Sequence, residues 1–223
     1  MNKKLVVEAI SKYIVGIILV GLLLFVPSGS FNYWNAWLFI GLLFIPMFFV
    51  GIIMLFKDPK LLQSRLDAKE KESEQKIVVI ISGIMFLSGF ILAGLNYRFN
   101  WIVLPNIVVI IASVIFLISY LLYAEVLREN SFLSRTIEVQ KNQKVIDTGL
   151  YGIVRHPMYL VTIFLFLTIP LILGSLISFI IFLIYPFIIV KRIKNEEEVL
   201  EKELEGYIDY KKKVKYRLIP FVW

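Results

Sequence analysis

From Met158 to Val190 the chain runs 33 residues without a charged side chain. As one helix, at 1.5 Å per residue, this tract would be roughly 50 Å long, against a hydrocarbon core of about 30 Å. It therefore folds back on itself, and Pro170 with the Gly174-Ser175 pair predicts the break. Further apolar runs place spans near Tyr13–Val26, Trp34–Phe56, Ile77–Leu95 and Trp101–Tyr123, with the hairpin arms at Tyr159–Leu173 and Ser175–Val190. Hydrophobic residues make up 59% of the chain, charged ones 18%, and mean hydropathy is +0.80, which excludes a soluble globule. The expected fold is an all-α integral membrane protein of about six hydrophobic helices, four spans plus a helical hairpin, with a cytoplasmic C-terminal tail covering a pocket.

The charge distribution sets the expected topology. Lys and Arg number three before the first span, six from Lys57 to Lys76, five from Glu125 to Arg155 and nine from Lys191 onward. Only Arg98, in the short turn from Asn96 to Asn100, falls on the other side. The positive-inside rule then puts both termini and both long loops in the cytoplasm of a multi-pass protein of the cell membrane. Trp34, Trp37, Tyr97 and Trp101 cluster at the proposed outer edge, where amphipathic rings favour the headgroup zone. The first run lacks a small-x-small cleavage site and reads as a retained helix. No cysteine is present and only one histidine, which excludes disulfides, thiolate metal sites, a cysteine nucleophile and a histidine metal cage. No metal and no nucleic-acid partner is expected. Absence of Asp, Glu, Lys, Arg and His from the span cores speaks against a transporter.

Chemistry on soluble reactants is therefore expected at the cytoplasmic face, and two stretches there carry it. In the first, Gln140 to Tyr159, Pro157 stands where an apolar helix opens, with His156 as its cap. Amides of that first turn, with the helix dipole and Arg155, would suit an anionic group. Gly149 and Gly152 let the preceding loop turn tightly, and Tyr151 and Tyr159 could face a flat polar ligand. The second stretch is Arg192 to Leu200, followed by Tyr207, Tyr210 and a basic run. Plainer readings stand beside these. Arg155 and His156 could snorkel to headgroups, Glu196 to Glu205 could be a solvated helix face, Tyr207 and Tyr210 interface anchors, and Lys211 to Lys213 contacts to anionic lipid.

The joint order of these motifs decides between them. Gly149-Leu150-Tyr151, then Arg155-His156-Pro157-Met158-Tyr159, then Arg192 with Glu196-Glu197 after a hydrophobic hairpin, then Tyr207, Tyr210, Lys211 to Lys213 and Leu218-Ile219-Pro220-Phe221 resembles the isoprenylcysteine carboxyl methyltransferase family, a relative of the phospholipid N-methyltransferases. The resemblance implies an S-adenosylmethionine-dependent membrane methyltransferase acting on a lipophilic or lipidated substrate. Its cofactor pocket would be roofed by the tail and open sideways to membrane lipid. It implies a four-helix transmembrane region over 1–124 and a catalytic region over 125–223. By the same resemblance, Gln140, Gln143, Lys144, Val145, Ile146, Tyr151, His156, Pro157, Met158 and Tyr159 bind the cofactor. Arg192 and Glu196 are catalytic, and Arg155 and Glu197 support them. Matching Gln140 needs a gap, Val161 replaces a glycine common in the family, and Leu204-Glu205-Gly206-Tyr207 is one residue short of its Phe-Gly-x-x-Tyr.

Methyl transfer from a sulfonium is an in-line displacement in which positioning and desolvation do much of the work. A carboxylate acceptor needs only orientation, which the Arg192 fork provides, whereas an amine needs a base, and Glu196 is the candidate. Arg192 and Glu196 stand at i and i+4 on one helical face. Carboxyl O-methylation is favoured, with phospholipid-type N-methylation as the alternative. A third reading is an NADPH-dependent membrane reductase, since sterol reductases carry a similar Arg-His-Pro-Asn-Tyr motif; Met158 in place of that Asn counts against it. Sequence reading leaves the acceptor and the oligomeric state open.

Overall fold

The computed structural model describes residues 3–67, 73–134 and 136–223, without the side chains of 73–75. Lys69, Lys71 and Arg135, three of the cations counted in the long loops, lie outside the described residues. Among the described residues nine α-helices follow in order: α1 (Lys3–Ser28), α2 (Trp34–Lys57), α3 (Pro59–Leu66), α4 (Ser73–Phe99), α5 (Asn106–Glu129), α6 (Pro157–Ile172), α7 (Leu176–Phe182), α8 (Tyr185–Glu203) and α9 (Tyr207–Lys213). A 3-10 turn, Gly149–Gly152, precedes α6. Long apolar segments are helical because a backbone in lipid has no water to bond and must satisfy its own amides. Five helical stretches are long and apolar enough to cross a membrane: α1, α2, α4, α5, and Leu176–Glu203, which joins α7 and α8. Their side chains face outward, as with Leu121 (73% exposed) and Phe187 (75%). α6 is shorter, at 16 residues.

Several boundaries differ from those expected, each for a local reason. α1 begins at Lys3, well before Tyr13; Lys12 within it pairs with Glu8 (2.6 Å) and donates to Leu66 O (2.6 Å). The fourth span starts at Asn106 rather than Trp101, because Pro105 biases the preceding residue against the helical region. The Asn96 side chain holds the intervening turn, donating to Ile102 O (2.9 Å) and accepting from Ile102 N (3.2 Å). Pro170 does not break the hairpin: α6 runs through it, and the reversal comes at Leu173-Gly174-Ser175, with Gly174 at φ +71°. Ser175 caps α7 by accepting from Ser178 N (3.2 Å). The second hairpin arm is two helices, because Pro186 lacks the N–H that would continue α7 into α8. α3 was not expected, although Asp58-Pro59 announced it: Asp58 accepts from Leu61 N (3.0 Å) and Pro59 opens the helix.

The reversal is buried within the protein and leaves carbonyls at the end of α6 without helical partners. Three side chains from elsewhere supply them. Tyr33 Oη donates to Leu173 O (2.5 Å), Asn35 Nδ2 to Ile172 O (2.8 Å) and Asn96 Nδ2 to Gly174 O (3.3 Å). α6 thus reaches the level of the α4–α5 turn. α6 lies along α5, α4 along α1, and α7 crosses α4 at Gly89, whose carbonyl accepts from Ser178 Oγ (2.8 Å). α8 continues the core with Ile188, Ile189 and Ile193, then leaves the apolar zone at Lys191 to carry Arg192, Glu196 and Glu197.

The α4–α7 crossing needs residue 89 to have no side chain, since a Cβ there would stand 2.3 Å from the fully buried Phe182 ring. Gly89→Ala should cost about 1–3 kcal/mol and lower the thermal midpoint in detergent. Adding Phe182→Leu should recover part of the loss; additive losses in the double variant would show that the contact is not responsible.

Candidate functional site

Where α6 begins and α8 leaves the apolar core, a buried carboxylate gathers two guanidinium groups and an imidazole. Glu197 is 2% exposed. Its Oε1 accepts from Arg155 Nε (2.7 Å) and lies 3.2 Å from His156 Nε2, while Oε2 accepts from Arg217 Nε (2.8 Å). A carboxylate oxygen only accepts, which assigns the hydrogen to His156 Nε2. Arg155 also donates to the carbonyls of Val214 (2.7 Å) and Lys215 (2.8 Å), and the amides of Arg155 and His156 donate to Tyr216 O and Arg217 O (both 2.9 Å). The tail is thus laid as an extended strap over the α6 entrance, held from one point on α8. Burial pushes the Glu197 carboxyl up, but hydrogen bonds from His156, Arg155 and Arg217 outweigh it and hold the group well below the ordinary carboxylate range.

The loop before α6 is held by the tail and by α5. Tyr210 Oη donates to Tyr151 O (2.8 Å), Lys213 pairs with Asp147 (2.7 Å), and Thr148 Oγ1 donates to Glu129. Gly149 sits at φ +53°, a conformation that favours glycine, and a Cβ there would lie 2.6 Å from Glu129 Oε2, so glycine eases the approach of the loop to α5.

Between loop, tail and helix ends lies a polar cavity lined by Gln143 to Ile146, Glu138, Tyr151, His156, Met158, Tyr159, Arg192, Glu196, Leu200, Leu204, Tyr207 and Tyr210, among others. Inside it, Arg192 Nε donates to Tyr159 Oη (2.9 Å), and Tyr159 Oη donates to Glu196 Oε2. Tyr159 therefore bridges the i, i+4 pair. Two buried hydroxyls of the cavity wall, Tyr151 Oη and Tyr207 Oη, have no hydrogen-bond partner among the described residues; Asn130 lies near the first but outside bonding geometry. Burial pushes both phenols upward, and Glu197 and Glu196 push Tyr207 further, so each remains a protonated donor. A second cavity of about 410 Å³ adjoins the first on the lipid side, between α4, α6 and α8, walled by Val78, Phe86, Phe166, Tyr185 and Ile188. The two share Ser134, Thr136, Met158, Tyr159 and Arg192.

Most residues singled out from the sequence therefore meet around one cavity. Gln140 does not: it donates to Phe132 O (2.6 Å) inside its own loop, which bulges so that Gln143 instead reaches the wall. Pro157 is buried at the first position of α6, after His156 as cap residue, but lies outside the cavity lining. The anion site foreseen at that helix start is largely consumed, since Pro157 has no N–H and the amides of Tyr159 and Leu160 return to His156 O. The glutamate-rich run is not wholly a solvated face. Glu197 continues the buried stripe Ile189–Ile193 at steps of four, a signal that was present in the sequence. Tyr207 and Tyr210 are packed cavity residues rather than interface anchors, and Glu138 was missed because nothing local marks it.

Glu197→Gln would leave buried Arg155 without its counter-charge, at a cost of about 3–5 kcal/mol. The expected result is a lower thermal midpoint and tryptic cleavage at Lys211–Lys215 in the released tail, whereas the partly exposed Glu196→Gln keeps the tail docked. Because the folded carboxyl is depressed, its contribution is complete above its ordinary value of 4.5 and is lost only as pH falls through the lower folded value. Equal protection of the tail in both variants would remove Glu197 from this role.

A model of the isoprenylcysteine carboxyl methyltransferase (ICMT) family matches residues 107–202. Over 91 residues the chain is 31% identical to the Delta(14)-sterol reductase TM7SF2 of Mus musculus, a match covering 40% of this chain and 22% of that protein. The match thus spans about a fifth of the length of this curated relative. Among solved structures, the eukaryotic intramembrane Ras methyltransferase ICMT aligns with a TM-score of 0.58 at 18% identity, over 96% of this chain and 77% of that one, a likeness of fold. The family match takes in the loop, Arg155 to Tyr159, Arg192, Glu196 and Glu197, so the part of the chain that builds the cavity is similar to the isoprenylcysteine carboxyl methyltransferase family.

Proposed function

We propose that the chain is an S-adenosylmethionine-dependent methyltransferase of the membrane that esterifies the carboxylate of a lipophilic or lipidated acceptor. The observation that carries this reading is the junction of the two cavities: a polar pocket under the tail opens into an apolar groove between helices, and Tyr159, Arg192 and Met158 line both. A water-soluble donor and a lipid-borne acceptor meet only at such a junction.

The pocket residues fit S-adenosylmethionine. The orphaned hydroxyls of Tyr151 and Tyr207 offer donors, the carboxylates of Glu138 and Glu196 suit its cationic groups, and Val145, Leu200 and Leu204 make an apolar wall for a flat base. The donor supplies an electrophilic methyl group on a sulfonium. Tyr159, fixed between Arg192 and Glu196, sets the Arg192 guanidinium toward the groove, where its fork can orient a carboxylate. The transfer forms a carbon–oxygen bond as a carbon–sulfur bond breaks, with the electron pair leaving on sulfur, and no proton changes hands. Glu197, Arg155 and the tail exclude water from the pocket. In this reading both termini face the cytoplasm, and α6 and the α7–α8 pair are the last two of six apolar crossings.

The likeness to a sterol reductase favours a second reading, hydride transfer from a nicotinamide cofactor to a sterol-like substrate. Two carboxylates in the pocket, Glu138 and Glu196, suit a cationic donor better than the phosphates of a dinucleotide.

Purified protein given methyl-labelled S-adenosylmethionine and a membrane lipid extract should yield label that is released by mild base, as from an ester. Oxidation of NADPH without label transfer would instead establish the reductase. Arg192→Ala should lower turnover by about 10²-fold or more, while calorimetry with S-adenosylhomocysteine shows affinity within a few-fold of the parent; an equal loss of that affinity would take Arg192 out of the acceptor side.

A further inference from the structure

The groove mouth holds a second guanidinium that neither the sequence motifs nor the family match contains. Arg65, on the short helix α3, lies outside residues 107–202 and lines the groove together with Arg192. It is half-buried, and each of its contacts is to a neutral group: it donates to Ser134 O (3.1 Å) and Tyr123 Oη, and it stands 3.9 Å from Met158 Sδ. Among the described residues no carboxylate pairs with it. Arg155 and Arg217, by contrast, are both ion-paired with Glu197. A half-buried cation beside apolar walls, held in place but not compensated, favours an anion in the space it faces. Among the described residues no Asp or Glu lines the groove to supply one from the protein.

We propose that Arg65 is the second arm of the acceptor site, sharing with Arg192 the carboxylate of the lipophilic acceptor and thereby selecting anionic over amine acceptors. This rests on the methyltransferase reading above and sharpens it. The neutral partners orient the fork: Tyr123 and Ser134 fix two of its donors, leaving further N–H groups for a ligand. Two guanidinium groups at one mouth repel a protonated amine headgroup and attract a carboxylate, so the discrimination lies in binding rather than in a base.

The test measures binding of an S-farnesylated N-acetylcysteine and of its uncharged carboxamide to the full chain in nanodiscs, for the parent, Arg65→Gln and Arg65→Lys. The parent should prefer the carboxylate. Arg65→Gln should weaken carboxylate binding about 10- to 100-fold and leave the carboxamide within about twofold, with Arg65→Lys in between. In turnover the loss should appear in KM more than in kcat. Absence of a charge preference in the parent, or equal weakening of both ligands in Arg65→Gln, would overturn the proposal. S-adenosylhomocysteine calorimetry on the same samples separates the two levels. Parent protein that does not bind it would overturn the methyltransferase reading itself, whereas retained binding with no charge selectivity would overturn the role of Arg65 alone. If Arg65→Gln melts early, the lysine variant carries the comparison.

Discussion

The site depends on one buried carboxylate. Glu197 sits where α8 leaves the apolar core, and it holds Arg155 and His156 at the entrance of α6 and Arg217 of the tail. Removing a charge from water costs several kcal/mol, which partners with good geometry can offset. Here each oxygen of the carboxylate has a cationic partner, and Arg155 spends further donors on the carbonyls of Val214 and Lys215. The arrangement specifies more than it stabilises, since only one placement of the tail satisfies all of these groups. Once the strap is set, α9 follows, and Tyr207 and Tyr210 close the roof of the pocket.

The apolar half meets a matching demand by another route. A chain reversal packed inside the protein leaves carbonyls which water does not reach. Tyr33, Asn35 and Asn96 bond the last α6 carbonyls and so fix the depth at which the hairpin turns. That depth in turn fixes the height of Pro157 and Tyr159 at the other end of a rigid 16-residue helix. The polar pocket and the lipid groove meet where they do because both ends of α6 are tied to polar groups.

What the sequence discloses follows from the range of the interaction concerned. Long apolar runs, the Pro157 start of α6 and the common face of Arg192 and Glu196 are local patterns, readable from spacing. The two-helix second arm was equally readable from Pro186 but was outweighed by the continuity of the apolar run. Glu197 was half legible: its step of four from Ile193 was visible, but its three partners come from two distant segments. Gln140 lies off the cavity for the opposite reason, because the described residues of the loop between α5 and the Gly149 turn have no period from which to infer which side chain faces inward. Arg65 was invisible, since its meaning arises only when α3 is folded against Tyr123 and Met158.

The likeness to a sterol reductase as well as to methyltransferases bears on which parts of the site determine chemistry. A shared fold hosts different reactions, so common features should be sought in what builds the pocket and distinguishing ones in what faces the reacting atoms. The Arg155-His156-Pro157 start of α6 builds: its polar atoms point into the Glu197 network and bind the strap, a task independent of the cofactor. Tyr159, Arg192 and Glu196 face the junction with the groove. In the proposed esterification an arginine there, braced by a tyrosine that is itself held by a carboxylate, orients the anion. Protonating or hydride-transferring chemistry would need a proton donor at that place, and Tyr159 is committed to Glu196 and shielded by Arg192. The same three residues leave an already ionised oxygen free to attack, which makes esterification of a carboxylate the reaction that asks least of them.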